Sequence, residues 1–179
     1  AASGARVAVG MPGDAAAGRD SGRVDVYRRV PGGWTREATL RSSSLRAGDE
    51  FGRSLAMDGD RLLVGAPGAD VEERDAGAAY LFEWDGGAWI EQASVQLDVP
   101  GYADRCGSSV ALLGDRFAVG VPGRDAGAAD TGLVLVGRID AEGSVDFDEL
   151  RIPSAGRFES FGRAVALSDG ELAVAAPWS

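Results

Sequence analysis

The sequence has no histidine, one cysteine and no long apolar run. Without histidine, Ser/His/Asp and Cys/His catalytic sets are excluded, and the commonest metal ligand is missing. The single cysteine, Cys106, excludes an internal disulfide and leaves the redox compartment open. Because no apolar run is long enough to cross a bilayer, we expect no membrane insertion. The N-terminal residues also lack the basic start and apolar core of a signal peptide.

Basic residues are too few to balance the acidic ones, and the net charge is −10 with a sequence pI near 4.5. Such a surface repels a nucleic-acid backbone, so we expect no nucleic-acid partner. Hydrophobic residues make up 45% of the chain, which is sufficient for a buried core. The composition therefore predicts a folded acidic protein.

One stretch, residues 51–67, returns along the chain. Its copies end at four prolines spaced 55 residues apart, Pro12, Pro67, Pro122 and Pro177. Cys106 occupies the position of Phe51 and Phe161 in the sister copies, so we interpret it as a buried apolar substitute. A constant period of this length indicates one supersecondary unit stacked on copies of itself.

Within the unit, apolar runs at 53–57 and 61–65 flank a turn at residues 58–60, and runs at 78–84 and 89–97 flank a turn at 85–87. Alternation along residues 92–97 has the two-residue period of a half-exposed strand, whereas residues 79–82 are apolar on both faces. Helical periodicity is almost absent. The fold class predicted is therefore all-β, with four-stranded antiparallel units like the blades of a β-propeller.

The residues also carry a family resemblance. Phe51-Gly52 followed by Gly65-Ala66-Pro67 resembles the FG-GAP repeat, the blade unit of the integrin α-subunit propeller and of many bacterial extracellular proteins. Residues 77–82 and 86–89 are similar to the bacterial subgroup of that repeat. The resemblance covers essentially the whole chain. It implies an integrin α-like β-propeller that functions in binding or cell adhesion, secreted or at the cell surface.

Counting strands along the chain gives thirteen, or about 3.25 repeats. We predict a partial blade without its first strand at 1–40, full blades at 51–97 and 106–152, and the first two strands of a further blade at 161–179. Closed propellers usually have four to eight blades. We therefore expect a segment whose open faces pair with the rest of a larger propeller or with another copy of the chain.

Acidic residues concentrate in the loops that join the second and third strands of each unit, at 13–21, 68–76 and 123–131. Carboxylates from neighbouring blades would converge on one rim, which predicts a binding face, with a merely solvated acidic rim as the alternative. The candidate binding residues are Asp14, Asp20, Asp70, Glu72, Asp75, Asp125, Asp130 and, as an exposed aromatic, Tyr102. Three of them precede a glycine by two positions, which favours a turn-forming role for Asp20, Asp75 and Asp130.

Metal binding has little support. Calcium-binding members of the FG-GAP family carry an acidic loop between the first and second strands, whereas the corresponding segments here, 57–61, 113–116 and 168–171, are short and poor in acids. We therefore expect no cofactor. The acidic rim keeps calcium as an open possibility.

The predicted function is a noncatalytic module for adhesion or protein interaction that presents acidic loops to a protein or glycan partner. The alternative is a carbohydrate-binding propeller, with Tyr102 and Trp178 as candidate aromatic platforms. A remaining enzymatic alternative is a propeller glycosidase with paired carboxylates. Residues 85–89 only superficially resemble the Asp-box of sialidases.

Overall fold

The computed structural model describes residues 1–125, 131–152 and 159–177, and every regular element within these ranges is a β-strand. The first sheet contains β1 (Ala2–Ser3), β2 (Arg6–Met11), β3 (Arg23–Val30) and β4 (Gly33–Leu40). The second contains β5 (Ser54–Asp58), β6 (Arg61–Ala66), β7 (Ala78–Trp84) and β8 (Trp89–Val95). The third contains β9 (Ser109–Leu113), β10 (Arg116–Val121), β11 (Leu133–Ile139) and β12 (Val145–Leu150). The fourth contains β13 (Ala164–Ser168) and β14 (Glu171–Ala175).

Each sheet is an antiparallel meander whose strands pair in chain order. The sheets also stack in chain order, because β2 packs against β5, β5 against β9 and β9 against β13. The all-β prediction is confirmed, and the described residues form an open row of sheets like a partial propeller. The division into blades stays a prediction.

The strand count needs one correction. The sequence predicts that the first sheet lacks its first strand, but Ala2 pairs with Val7 and Ser3 pairs with Arg6, so β1 supplies that strand and brings the total to fourteen. Gly4, with φ +55°, forms the turn that allows β1 to fold back on β2. A strand of two residues is too short for alternation to be detected in the sequence, which is why the prediction failed.

Burial follows the predicted gradient within the second sheet. The strands β6 and β7 are almost entirely buried, whereas β8 is mostly exposed between its buried ends, Trp89 and Val95. A β-bulge between Leu81 and Phe82 shifts the register of β7 against β8. The inner strands are therefore covered on both faces and the outer strand faces solvent.

The hydrophobic core lies between the sheets and forms three clusters. Phe51, Leu62 and Val64 belong to the cluster between the first and second sheets. Phe117 and Val119 belong to the cluster between the second and third sheets. Cys106 is fully buried in this second cluster, so its predicted role as an apolar substitute is confirmed.

The backbone joins neighbouring sheets at the start of each unit. The N–H groups of Phe51, Cys106 and Phe161 donate to the carbonyl oxygens of Ser21, Ala76 and Thr131 at 3.1, 2.8 and 3.0 Å. These contacts repeat with the 55-residue period, so each unit begins by hydrogen bonding to the preceding one. The loops between second and third strands, which carry most of the predicted site residues, are anchored at this point.

Candidate functional site

Asp14 belongs to an internal ion-pair network. Its carboxylate accepts hydrogen bonds from Arg23 at 2.7 Å, from Arg41 at 3.0 Å and from the backbone N–H of Ala16 at 3.2 Å. The hydrogen bond from Arg41, followed by the one from Ala16, holds the pKa of Asp14 below its ordinary value. Since Arg23 in β3 and Arg41 directly after β4 both bind it, the carboxylate of Asp14 contributes to holding these segments together.

Asp20 and Asp75 act in the fold through their backbone. Both residues have φ of 54°, and their carbonyl oxygens accept the N–H groups of Glu50 at 2.9 Å and Arg105 at 3.1 Å. Asp and Asn adopt this left-handed conformation more readily than most residues. The geometry is that of paired turns between consecutive sheets. Asp130 lies outside the described residues, and Asp125 is exposed.

Asp70 and Glu72 border a polar pocket of about 410 Å³, which we call the Asp49 pocket. Its wall includes four carboxylates, one arginine, and the hydroxyl-bearing side chains of a serine and a tyrosine: Asp49, Asp70, Glu72, Glu91, Arg46, Ser44 and Tyr80. The pocket therefore gathers carboxylates from the 41–50 connection, the 68–76 loop and β8. Two of the predicted site residues meet here, together with two acids that the sequence reasoning missed.

Asp49 is the most buried of these acids, with 3% of its surface exposed. Its Oδ2 accepts the backbone N–H of Arg46 at 2.7 Å, whereas Oδ1 has no hydrogen-bond partner among the described residues. Burial, with a further contribution from the charge of Asp70, raises the pKa of Asp49 above its ordinary value. A buried carboxylate oxygen without a donor is costly, and such groups call for a physical explanation.

Asp104, which lies 55 residues after Asp49, has a cationic partner that Asp49 lacks within the described part of the chain. Asp104 Oδ2 accepts the backbone N–H of Gly101 at 2.5 Å and the guanidinium of Arg124 at 2.9 Å. Asp49 keeps the equivalent backbone bond, but the residue 55 positions before Arg124 is Ala69. The first unit boundary thus retains the buried acid without the cation that partners it at the second.

A hydroxyl network extends from the wall of the pocket. Ser44 Oγ lies 3.2 Å from the Tyr80 hydroxyl, and Ser42 Oγ lies 3.0 Å from Ser44 Oγ and donates to Glu91 Oε1 at 3.2 Å. Burial raises the pKa of both Tyr80 and Glu91. Tyr80 is therefore a neutral hydroxyl at neutral pH and can accept as well as donate a hydrogen bond.

Asp75 borders a different pocket, of about 360 Å³, together with Glu50 and three arginines, Arg53, Arg105 and Arg163. Arg53 and Arg163 directly follow the two Phe-Gly pairs, so the sequence contains the signal for this cluster of arginines. The predicted acidic rim is therefore interrupted by a basic patch at this pocket.

Tyr102 is 67% exposed and is not part of either pocket wall, and Trp178 lies outside the described residues. Within the described residues, no group of three or more Cys, Asp or Glu side chains is arranged to hold a metal ion. The described ranges also contain no helix that is long and apolar enough to cross a membrane.

Comparison with known families places an FG-GAP repeat at residues 34–82. A search of curated proteins finds no match to the chain. The matched region runs from β4 through the Asp49 pocket segments to β7, so it contains the first unit boundary and its buried acid. The same strand pattern recurs in the third sheet and begins again in the fourth. The chain therefore carries an FG-GAP repeat within a row of four-stranded antiparallel sheets of β-propeller type.

Proposed function

We propose that the chain is a noncatalytic protein-interaction module that functions in adhesion or partner binding, outside the cell or at its surface. In this proposal the Asp49 pocket receives a basic side chain of a protein partner. The FG-GAP family is generally non-enzymatic. The absence of histidine from the sequence supports a noncatalytic role, because it removes the commonest general base.

The observation that carries the proposal is the unpartnered Oδ1 of Asp49. In the same fold, the equivalent buried acid has a cationic partner, since Asp104 is paired with Arg124 at 2.9 Å. At Asp49 the corresponding cation is absent from the described residues, because Ala69 replaces the arginine. A guanidinium or ammonium group of a partner would supply the missing charge-assisted hydrogen bond.

The surroundings favour a basic group. Asp70, Glu72 and Glu91 add carboxylates to the wall, and Arg46 is the one basic side chain among the residues that border it. The hydroxyl of Tyr80 offers a further acceptor. A guanidinium has five donors in a planar fork, which matches several converging acceptors better than an ammonium does. The net charge of −10 would also accelerate encounter with a basic partner at low salt.

A direct test uses a labelled peptide of four arginines and, as a matched control, the same peptide with citrulline, a neutral analogue of arginine. Fluorescence anisotropy should detect binding of the arginine peptide alone. Asp49→Asn should weaken this binding about tenfold or more, the effect of losing a charge-assisted hydrogen bond worth about 1.5–3 kcal/mol. Glu142→Gln, which makes the same charge change on an exposed turn, should leave it unaltered.

A second variant fills the pocket from within the chain. Ala69→Arg combined with Arg46→Gly rebuilds the arrangement of Arg124, Asp104 and Gly101 at the first boundary. Arginine-peptide binding should then be lost while the fold is retained by circular dichroism. Equal weakening by Glu142→Gln, or full binding to the double variant, would show that the peptide senses only net charge and would refute the pocket.

The exposed ring of Tyr102 supports a second candidate, binding of a glycan by stacking. A glycan array probed with the wild type and with Tyr102→Ala separates the two functions. Retention of a specific sugar by the wild type and its loss in the variant would establish the lectin function. An array without a hit would exclude it.

The proposal assigns no cofactor, so peptide binding should persist in a calcium chelator. Loss of binding on chelation that calcium restores would show that an ion belongs to the site. The extracellular or cell-surface location is tested by labelling intact cells with an antibody to the chain.

A further inference from the structure

At each boundary between sheets, one main-chain carbonyl group closely approaches a glycine of the preceding sheet. The carbonyl oxygens of Gly52, Gly107 and Gly162 face three glycines of the preceding sheets, Gly10, Gly65 and Gly120. A Cβ atom built on any of these three would overlap the facing oxygen. None of the three has positive φ, so the backbone there would accept alanine, and glycine is needed only for the close approach.

A serine hydroxyl completes the second and third of these contacts. Ser54 Oγ donates to the carbonyl oxygen of Gly107 at 2.7 Å, and Ser109 Oγ donates to that of Gly162 at 2.8 Å. The serine lies on the first strand of its sheet and the glycine on the second, and they are direct cross-strand partners. Together they form what we call the carbonyl socket, which accepts the next unit.

The fourth sheet has lost both parts of the socket. The positions equivalent to Ser109 and Gly120 are Ala164 and Ala175, which pair across β13 and β14 as their counterparts do. Ala164 has no hydroxyl to donate, and the methyl group of Ala175 stands where the carbonyl oxygen would enter. Both alanines are exposed in the structure.

The opposite face of the same sheet keeps its apolar packing. Val165, Leu167, Leu172 and Val174 pack against the third sheet. The carbonyl of Gly162 also occupies the socket of the third sheet. The fourth sheet is thus built to dock backward onto its predecessor, while its outer face has lost the means to accept a successor.

We propose that Ala164 and Ala175 close the outer face of the fourth sheet to any further FG-GAP unit, whether from the same chain or from another copy. A sheet whose face cannot accept another unit stops further stacking there, which is the role that capping repeats have in repeat proteins. Any structure that covers this face must contact it in a way different from the three sheet boundaries described above.

The test extends the full chain by a second copy of residues 68–122 joined after Pro177. Because the period is 55, this copy supplies the two remaining strands of the fourth sheet and the first hairpin of a fifth. It also supplies a second copy of Cys106, which is fully buried at a formed boundary and so reports docking. The extension is made in two backgrounds, the native one and Ala164→Ser/Ala175→Gly.

In the native background, the added cysteine should react with a thiol reagent as fast as a free thiol. With the serine and glycine restored, its reaction should slow at least tenfold, and the added segment should gain amide protection in hydrogen exchange. Equal protection of the added cysteine in both backgrounds would overturn the proposal. Equal exposure in both would overturn it too, because the restored pair would then not suffice to accept a unit.

A reciprocal experiment uses the unextended chain. Ser54→Ala/Gly65→Ala installs the alanine pair in an occupied socket and should raise the thiol reactivity of Cys106 at the second boundary. Ser54→Ala alone, which removes the donor without adding bulk at Gly65, provides a milder variant if the pair prevents folding. Ala164→Ser/Ala175→Gly in the unextended chain should leave Cys106 unreactive. An unchanged thiol in Ser54→Ala/Gly65→Ala would refute the socket.

Discussion

Replacing Phe51 with alanine should destabilise the protein by about 3–5 kcal/mol, the usual range for a fully buried phenylalanine. Phe51 is 0% exposed at the first boundary between sheets. Its ring lies 5.7 Å from that of Tyr80 and 6.0 Å from that of Phe82, in tilted and edge-on geometries. Loss of burial costs about 1.5–3 kcal/mol, and each aromatic pair contributes about 0.5–1.5 kcal/mol.

Equilibrium urea unfolding, monitored by tryptophan fluorescence, measures the free energy change if the transition remains two-state. Val99→Ala, at a site 72% exposed, is the matched control and should change stability by less than about 0.5 kcal/mol. A loss below about 1 kcal/mol for Phe51→Ala would refute the reasoning, because it would mean that the ring does not hold the two sheets together.

Three further changes test the buried polar and thiol groups. Burial raises the pKa of Cys106 to about 12, so its labelling at pH 8 should proceed no faster than the protein unfolds, as followed by mass spectrometry. The raised pKa of Asp49 means that folding favours its protonated form. The stability of the wild type relative to Asp49→Asn should therefore fall as pH rises from the unfolded-state pKa through the folded-state pKa. Urea unfolding of both proteins across that pH range measures the difference. Arg124→Ala should cost about 1–3 kcal/mol by denaturant unfolding, because Asp104 is left buried with only a backbone donor, and Asp104→Asn in the same chain should recover part of the loss.

The all-β fold and the stacking order followed from the 55-residue period, because the period places the same turns and apolar runs in every unit. The short strand β1 could not be predicted from the period, because two residues carry no detectable alternation. The ion pairs of Asp14 could not be predicted either. Its partners Arg23 and Arg41 lie 9 and 27 residues away along the chain, and only the folded first sheet brings them to one carboxylate.

The candidate site was predicted in part. Asp70 and Glu72 were selected because they lie on a long acidic loop, and both border the Asp49 pocket. Asp49 itself was missed because it follows Gly48 in a short polar connection and resembles a turn residue. A signal did exist, since aligning the units by the period pairs Asp49 with Asp104 but Ala69 with Arg124. Its meaning depends on the contact between Asp104 and Arg124, which sequence spacing alone does not reveal.

The units carry different core residues at equivalent positions. The second sheet places large aromatic side chains at Phe51 and Phe82, whereas the third has Cys106 and Gly137 at those positions. Phe117, which is 1% exposed, fills part of the space at Gly137, because its Cζ would lie 2.6 Å from a Cβ built there. A large side chain missing at one core position is thus replaced in part by one from the neighbouring strand.

Departures from the repeat can therefore be divided by whether the structure itself accounts for them. Cys106 replaces phenylalanine but stays apolar and fully buried, so this change needs no partner to explain it. The change from arginine to Ala69 is not compensated, because Asp49 keeps its burial and loses its cation among the described residues. Ala164 and Ala175 remove the hydroxyl and the glycine that the two complete sockets contain. We therefore propose that departures of this kind mark the positions where this chain differs in what it can bind.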